Sequence, residues 1–482
     1  MRRVMRILLG AAICLAGPLL PGTGRAESEL PVLNDASSAA VSLDAEYRLG
    51  RNWARILRAQ APLLDDPISY QYLEDLLWRL LPKSQVQDRR LELFLLDNPT
   101  FNAFAVPGGI IGIHSGLLLA AENEGELASV IAHELAHLSQ RHYAQQLEEE
   151  RRNRPLMLAG LLAGILVASA DTQGGMAVLS STMGATAQGQ LAFSRRNEQE
   201  ADRVGMQTLV EAGIDPHTMP QMFSRLQRNY RFYGQRPPEF LLTHPVTESR
   251  IADSLNRASQ LPPVRSFGDN GDFNLIRARL QVHHSESPQK AVATFRAAVQ
   301  RSGQLHERYG LMLAAIAAAD FDLADQTWNA LDGSARRHPW LRLGRVERFL
   351  AAADPARALE ISSELFALYP DSRPVRTLHA RALREGGQLQ QAIRLYKQLS
   401  RDYPSDSQIW YELAETEGLA GNTLAVHEAR VEYFLLTAQF DLALKQLQYA
   451  SQEKNLSPSD KARLAQREQE AKALRQEMKE QF

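Results

Sequence analysis

The sequence predicts a mainly α protein in two parts: helices around a small β-sheet, then an α-solenoid of helical repeats. Three observations carry this. Apolar residues recur at helical spacing, for instance over 44–61 and 67–81. Short apolar runs at 91–96, 102–106 and 110–114 read as strands, the last two joined by Pro107-Gly108-Gly109. Further on, Ala291, Ala324, Ala358, Ala392 and Ala425 stand 33, 34, 34 and 33 residues apart.

Composition sets the outer bounds. A chain of 482 residues has room for two or three domains. With 44% hydrophobic and 23% charged residues it is globular, neither disordered nor a multi-span membrane protein. Its net charge of −2 does not suggest a nucleic-acid partner.

Residues 1–26 read as a secretory signal peptide. Arg2, Arg3 and Arg6 form the basic start, 7–20 the apolar run, and Gly24-Arg25-Ala26 the cleavage site. The run is short for a membrane span and contains Pro18. The single cysteine, Cys14, lies in this leader. The mature chain then has no disulfide and relies on its core. Cleavage removes four arginines and no acid, so the mature chain is more acidic.

A loose lead-in over 27–42 precedes the two helices. Asn98-Pro99 marks a turn after the first strand. The hairpin at Asn102, Ala103, Phe104, Ala105 and Val106 is either an ordinary hairpin or an edge that pairs with an extended substrate. Residues 115–122 lead into the next helix. Asn123 with Glu126 resembles a capping box, and Leu127, Ile131, Leu135 and Leu138 form its buried stripe.

That helix carries His133-Glu134-Leu135-Ala136-His137. Imidazoles four apart share a face and reach one Zn²⁺ at about 2.0–2.1 Å. Glu134 lies on the flank, where a carboxylate takes a proton from water acidified by the metal as it attacks a carbonyl. His142 does not complete a metzincin site, because Gln140 and Tyr143 stand where glycine and histidine are required. It reads as a polar residue near the helix end.

The stretch 194–202 offers Glu198 and Glu200 as third ligand. Glu198 is preferred, because Asp202 at i+4 shares its face and can fix the tautomer of a ligating imidazole. Between the ligand helices lie the apolar segment 155–170 and a tract rich in Gly, Ala and Ser. The apolar segment is short for a span; it reads as a soluble lid, with an interfacial membrane contact as the alternative. Thr243-His244-Pro245 follows. A residue before proline is held from the helical region, so His244 sits on a loop. From the residues alone it reads as a surface histidine. Arg250 is placed to stabilise a developing oxyanion.

Pro262, Pro263, Gly268 and Gly271 make 262–274 the best domain boundary. In the array beyond, Phe295, Trp328 and Tyr396 stand four residues after their alanines, Ser362 being the weak member, and Pro370 and Pro404 are 34 apart. Period and pattern are those of tetratricopeptide repeats, over 275–456. The charged segment 457–482 reads as a solvated capping helix.

Together the pentad, Glu198 with Asp202, the Asn-Ala-Phe-Ala-x-Pro-Gly-Gly stretch, Thr243-His244-Pro245 and the repeats resemble one family. It is the gluzincin metallopeptidases related to HtpX and the CAAX-prenyl proteases, in their secreted beta-barrel assembly-enhancing branch. The resemblance implies a zinc peptidase domain over 27–261. It implies one Zn²⁺ held by His133, His137 and Glu198, Glu134 as general base, and substrate pairing along Asn102 to Val106. It makes His244 a regulatory fourth ligand. It implies a periplasmic endopeptidase that degrades misassembled or stalled outer-membrane proteins, assists their assembly, and meets the barrel-assembly machinery through its repeats. The rival expectation is a chaperone or adaptor with a mainly structural zinc site. A membrane-bound prenyl-protein protease lacks the spans.

Overall fold

The computed structural model describes residues 42–142, 145, 195–233, 239–262, 270–454 and 456–481. The expected leader, the 155–170 segment and the glycine tract lie outside them. Among the described residues no helix is long and apolar enough to cross a membrane.

Two helices open the fold, α1 (Leu43–Gln60) and α2 (Pro67–Leu80), capped by Ser42 and Asp66. The sheet has order β1-β3-β2, with β1 Glu92–Leu96, β2 Ala103–Val106 and β3 Ile110–His114. β1 runs parallel to β3, and β2 closes an antiparallel hairpin on it. Gly108 and Gly109 in the turn have φ of 84° and 76°. A Cβ at Gly108 would come within 2.3 Å of the Glu46 carbonyl, so only glycine lets the turn lie on α1.

The site helices follow: α3 (Ser115–Ala120), α4 (Glu124–Ser139), α5 (Arg195–Glu211), α6 (Thr218–Tyr233), α7 (Glu239–Thr243) and α8 (Glu248–Gln260). Asn123 caps α4 by accepting the Glu126 amide. Glu126 itself reaches the Glu122 amide and Arg225, so the capping box is only half made. Leu127, Ile131 and Leu135 are fully buried.

The second half stacks antiparallel helices: α9 (Gly271–His283), α10 (Pro288–Arg301), α11 (Leu305–Ala317), α12 (Phe321–Asn329), α13 (Pro339–Ala351), α14 (Pro355–Leu368), α15 (Arg373–Glu385), α16 (Leu389–Asp402), α17 (Ser407–Leu419), α18 (Thr423–Leu436), α19 (Phe440–Ser451) and α20 (Pro458–Gln481). α9 begins inside the stretch expected to be a linker. The alanines at 291, 324, 358 and 392 are buried where paired helices touch; Ala425 is half-buried. The period reaches the backbone too. Ala319, Ala353, Gly387 and Gly421, each 34 apart, all have positive φ in the turn before the second helix of a pair.

The two halves share one core. Ile68, Leu73 and Leu127 belong to the same buried cluster as Phe273, Ile276, Leu343 and Val375. Arg279 of α9 donates to Asp66 at 2.9 and 3.0 Å and to Glu347 at 2.8 and 3.0 Å. His284 Nε2 lies 2.7 Å from Ser115 Oγ, whose own hydrogen goes to the Asn98 carbonyl. The expected solvated helix α20 buries Leu464, Ala471 and Met478. It also reaches back to α1, where Asn52 donates to Glu477 at 2.8 Å.

Candidate metal centre

α4 and α5 cross closely because Gly205 faces α4. A Cβ there would stand 3.1 Å from the backbone of Ala132 and His133. No sequence motif marks this glycine; its signal is one small residue a turn beyond Asp202 and two turns beyond Glu198. The crossing sets the histidines of α4 against the carboxylates of α5.

His133, His137, Glu198 and His244 converge, all four buried. His133 Nε2 is 3.0 Å from His137 Nε2, 3.4 Å from His244 Nδ1 and 3.5 Å from Glu198 Oε2. Glu198 Oε1 is 3.4 Å from His137 Nε2 and 3.0 Å from His244 Nδ1. A tetrahedral ion with bonds of about 2.0–2.1 Å needs donor separations of about 3.3–3.4 Å. The separations between these atoms run from 3.0 to 3.5 Å, close to that figure, and one ligand atom from each of the four residues lies within 4.8 Å of the others. Two imidazole nitrogens, a carboxylate and a third imidazole also suit zinc by chemistry.

Outside this cluster, Asp202 Oδ1 lies 3.0 Å from His133 Nδ1. Arg250 departs from expectation. Its Nε and Nη2 donate to Asp202 at 2.8 and 2.7 Å, and Nη1 lies 2.7 Å from Glu198 and donates to the Pro245 carbonyl at 2.9 Å. All three nitrogens are engaged, and its guanidinium sits on Phe223. Arg250 therefore ties two carboxylates and the His-Pro loop together rather than facing an oxyanion.

Charges follow from these contacts. Burial alone would raise the Glu198 carboxyl, but His244, His133 and His137 hold it well below its usual range. Burial would lower His133, yet Asp202 and Glu198 outweigh it and push it up to about 9. His137 is lowered, burial winning over Glu198. Burial raises Glu134.

Glu134 is 1% exposed. Its carboxylate accepts the Ala105 amide of β2, while Oε1 has no hydrogen-bond partner among the described residues and lies 3.7 Å from His244 Nε2. β2 is the sheet edge, yet its side chains are not free. Ala103 and Ala105 face one core; Phe104 and Val106 face another, with Phe104 edge-on to Trp53 at 5.6 Å. Asn102 is buried, its carbonyl accepting the His114 amide. On this edge the Ala105 amide is already given to Glu134 and the Asn102 carbonyl to His114.

His244 is 2% exposed, against its reading as a surface residue. Its ring stacks on Phe240 at 4.8 Å, a platform that no motif announced. His142 is also buried, its Nδ1 3.0 Å from His137 Nδ1. It is brought there by Arg141, which ends α4 with φ 53°. A non-glycine residue costs about 1–2 kcal/mol in that region. The Arg141 guanidinium is anchored by buried Glu46 of α1, with Nε donating at 3.0 Å.

A family model described as peptidase family M48 matches residues 67–258, and a tetratricopeptide-repeat model matches 349–415. The beta-barrel assembly-enhancing protease of Escherichia coli K12 is 34% identical over 478 residues, covering 96% of this chain and 95% of its own. The putative beta-barrel assembly-enhancing protease of Vibrio cholerae is 32% identical over 91% and 92% of the two chains. The mitochondrial metalloendopeptidase OMA1 of Schizosaccharomyces pombe is 29% identical over 46% of this chain and 64% of its own.

Proposed function

Because this chain belongs to the beta-barrel assembly-enhancing protease family of M48 metallopeptidases, we propose that it is a zinc-dependent endopeptidase of the periplasm. It degrades misassembled outer-membrane proteins and assists their assembly. One observation carries the reading. Four buried residues bring ligand atoms within 4.8 Å of one another beside a buried carboxylate oxygen that has no hydrogen-bond partner among the described residues.

In this proposal His133, His137 and Glu198 hold the ion, and Asp202 keeps the His133 Nε2 lone pair aimed at it. Bound there, zinc supplies Lewis-acid polarisation of the scissile carbonyl and acidification of water. Glu134 takes the proton of the attacking water at Oε1 and delivers it to the leaving amine nitrogen. The Ala105 amide steadies its other oxygen. The main-chain edge of β2 aligns an extended client antiparallel to itself. The repeats offer a surface for a protein partner, which we assign to the barrel-assembly machinery or its client.

A second reading has its own support. His244 completes a four-donor set, and closed sites of that type are structural. We reconcile the two by treating His244 as a removable fourth ligand, with activity requiring the loop to swing away.

The test is metal content of the mature protein together with cleavage of a casein-like substrate, with and without chelator. Zinc at one per chain and chelator-sensitive cleavage are expected. Stoichiometric zinc without cleavage of any unfolded substrate would favour the structural site.

A further inference from the structure

Behind His137, on the side away from the converging donors, lies a second histidine that the peptidase reading does not use. His137 turns Nε2 toward His133 and Glu198, so a metal held there takes that lone pair. The ring is then neutral only if Nδ1 carries the hydrogen. That hydrogen points at His142 Nδ1, 3.0 Å away, with the two rings at 74°. Two nitrogens at this distance need one donor and one acceptor, so His142 Nδ1 must accept. His142 therefore carries its own hydrogen on Nε2, which faces Glu200 Oε2 at 3.4 Å. One tautomer assignment satisfies every group in the row.

The row is built, not incidental. His142 is 1% exposed. Its position depends on the left-handed Arg141, held by Glu46 from α1. Glu200 comes from α5, two residues from Glu198, so both ligand helices contribute. Asp202 stands in the corresponding place for His133, its Oδ1 3.0 Å from Nδ1. For His137 the carboxylate is one imidazole further out.

We propose that His142 and Glu200 are positioning residues that fix the His137 tautomer and ring angle, giving the second ligand histidine an outer support equivalent to Asp202. This rests on the zinc reading of the site.

The experiment measures zinc affinity of the full mature chain by chelator competition. His142→Phe fills the same buried space without an acceptor; His142→Asn places an amide oxygen close to where Nδ1 stands. Expected is a loss of about 10–100-fold in affinity for His142→Phe, with much of it restored in His142→Asn. Glu200→Leu, at a half-exposed position, should weaken affinity by a smaller factor, and Glu200→Gln should retain it. A purely space-filling His142 predicts the opposite order, Phe tolerated better than Asn. That order, or wild-type affinity in both His142→Phe and Glu200→Leu, overturns the proposal while leaving the peptidase reading intact. A wild-type chain that binds no zinc overturns both.

Discussion

His244 Nδ1 stands 3.0 Å from Glu198 Oε1, as one member of the four-residue donor set. If His244 is a removable cover, His244→Ala should keep zinc on the other three ligands and cleave loosely folded substrates faster. Zinc content and initial rates decide it. A fully loaded variant slower on every substrate would end the switch idea and make His244 a substrate or transition-state contact.

Glu134→Gln retains the shape of the side chain and its contact with the Ala105 amide is altered least. It should keep zinc and fold while losing about 10²–10⁴-fold in cleavage. Wild-type-like turnover by the zinc-loaded variant would refute Glu134 as the base.

Arg250 pairs with both Asp202 and Glu198 inside the protein. Arg250→Met should leave two buried carboxylates short of a cation, destabilising the fold by about 3–5 kcal/mol. Zinc loading should fall with it. An unchanged unfolding midpoint and full zinc, with only turnover reduced, would restore the oxyanion role first expected.

Removal of the repeats after residue 261 takes Phe273, Ile276, Leu343 and Val375 from a core they share with Ile68 and Leu127. The truncated chain should therefore fail to fold cooperatively, by near-UV circular dichroism. A well-folded, zinc-loaded fragment would show that the N-terminal half closes its core alone.

Asp66 joins the halves through Arg279. Burial would raise its carboxyl, but Arg279 and its hydrogen bonds hold it below the ordinary 3.8. Its folded pKa is depressed, so its contribution is fully present above the ordinary 3.8 and is lost as pH falls through the lower, folded value. Asp66→Asn should lower stability near neutrality and flatten the loss of stability as pH falls from about 5 to below the ordinary 3.8. Denaturant midpoints across that range measure the slope; parallel curves for wild type and variant would contradict the linkage.

Sequence alone determined what depends on short spacing. Two histidines four apart, a glutamate and aspartate four apart, a Pro-Gly-Gly turn and a period of 33 to 34 are each set by one helix, one turn or one repeat unit. Helix and strand periodicities convert such spacings directly into shared faces. Tertiary structure decided the rest. Arg250 lies 48 residues from the Asp202 it grips, and Arg141 lies 95 from Glu46. Neither pairing has a local pattern to betray it. Gly205 matters only because another helix passes there, and His142 became a partner of His137 only through a left-handed residue that sequence rules assign to glycine. The boundary at 262–274 was marked by prolines and glycines, which report where the backbone bends. They do not report which apolar faces meet afterwards, and here the first repeat helices complete the core of the domain before them.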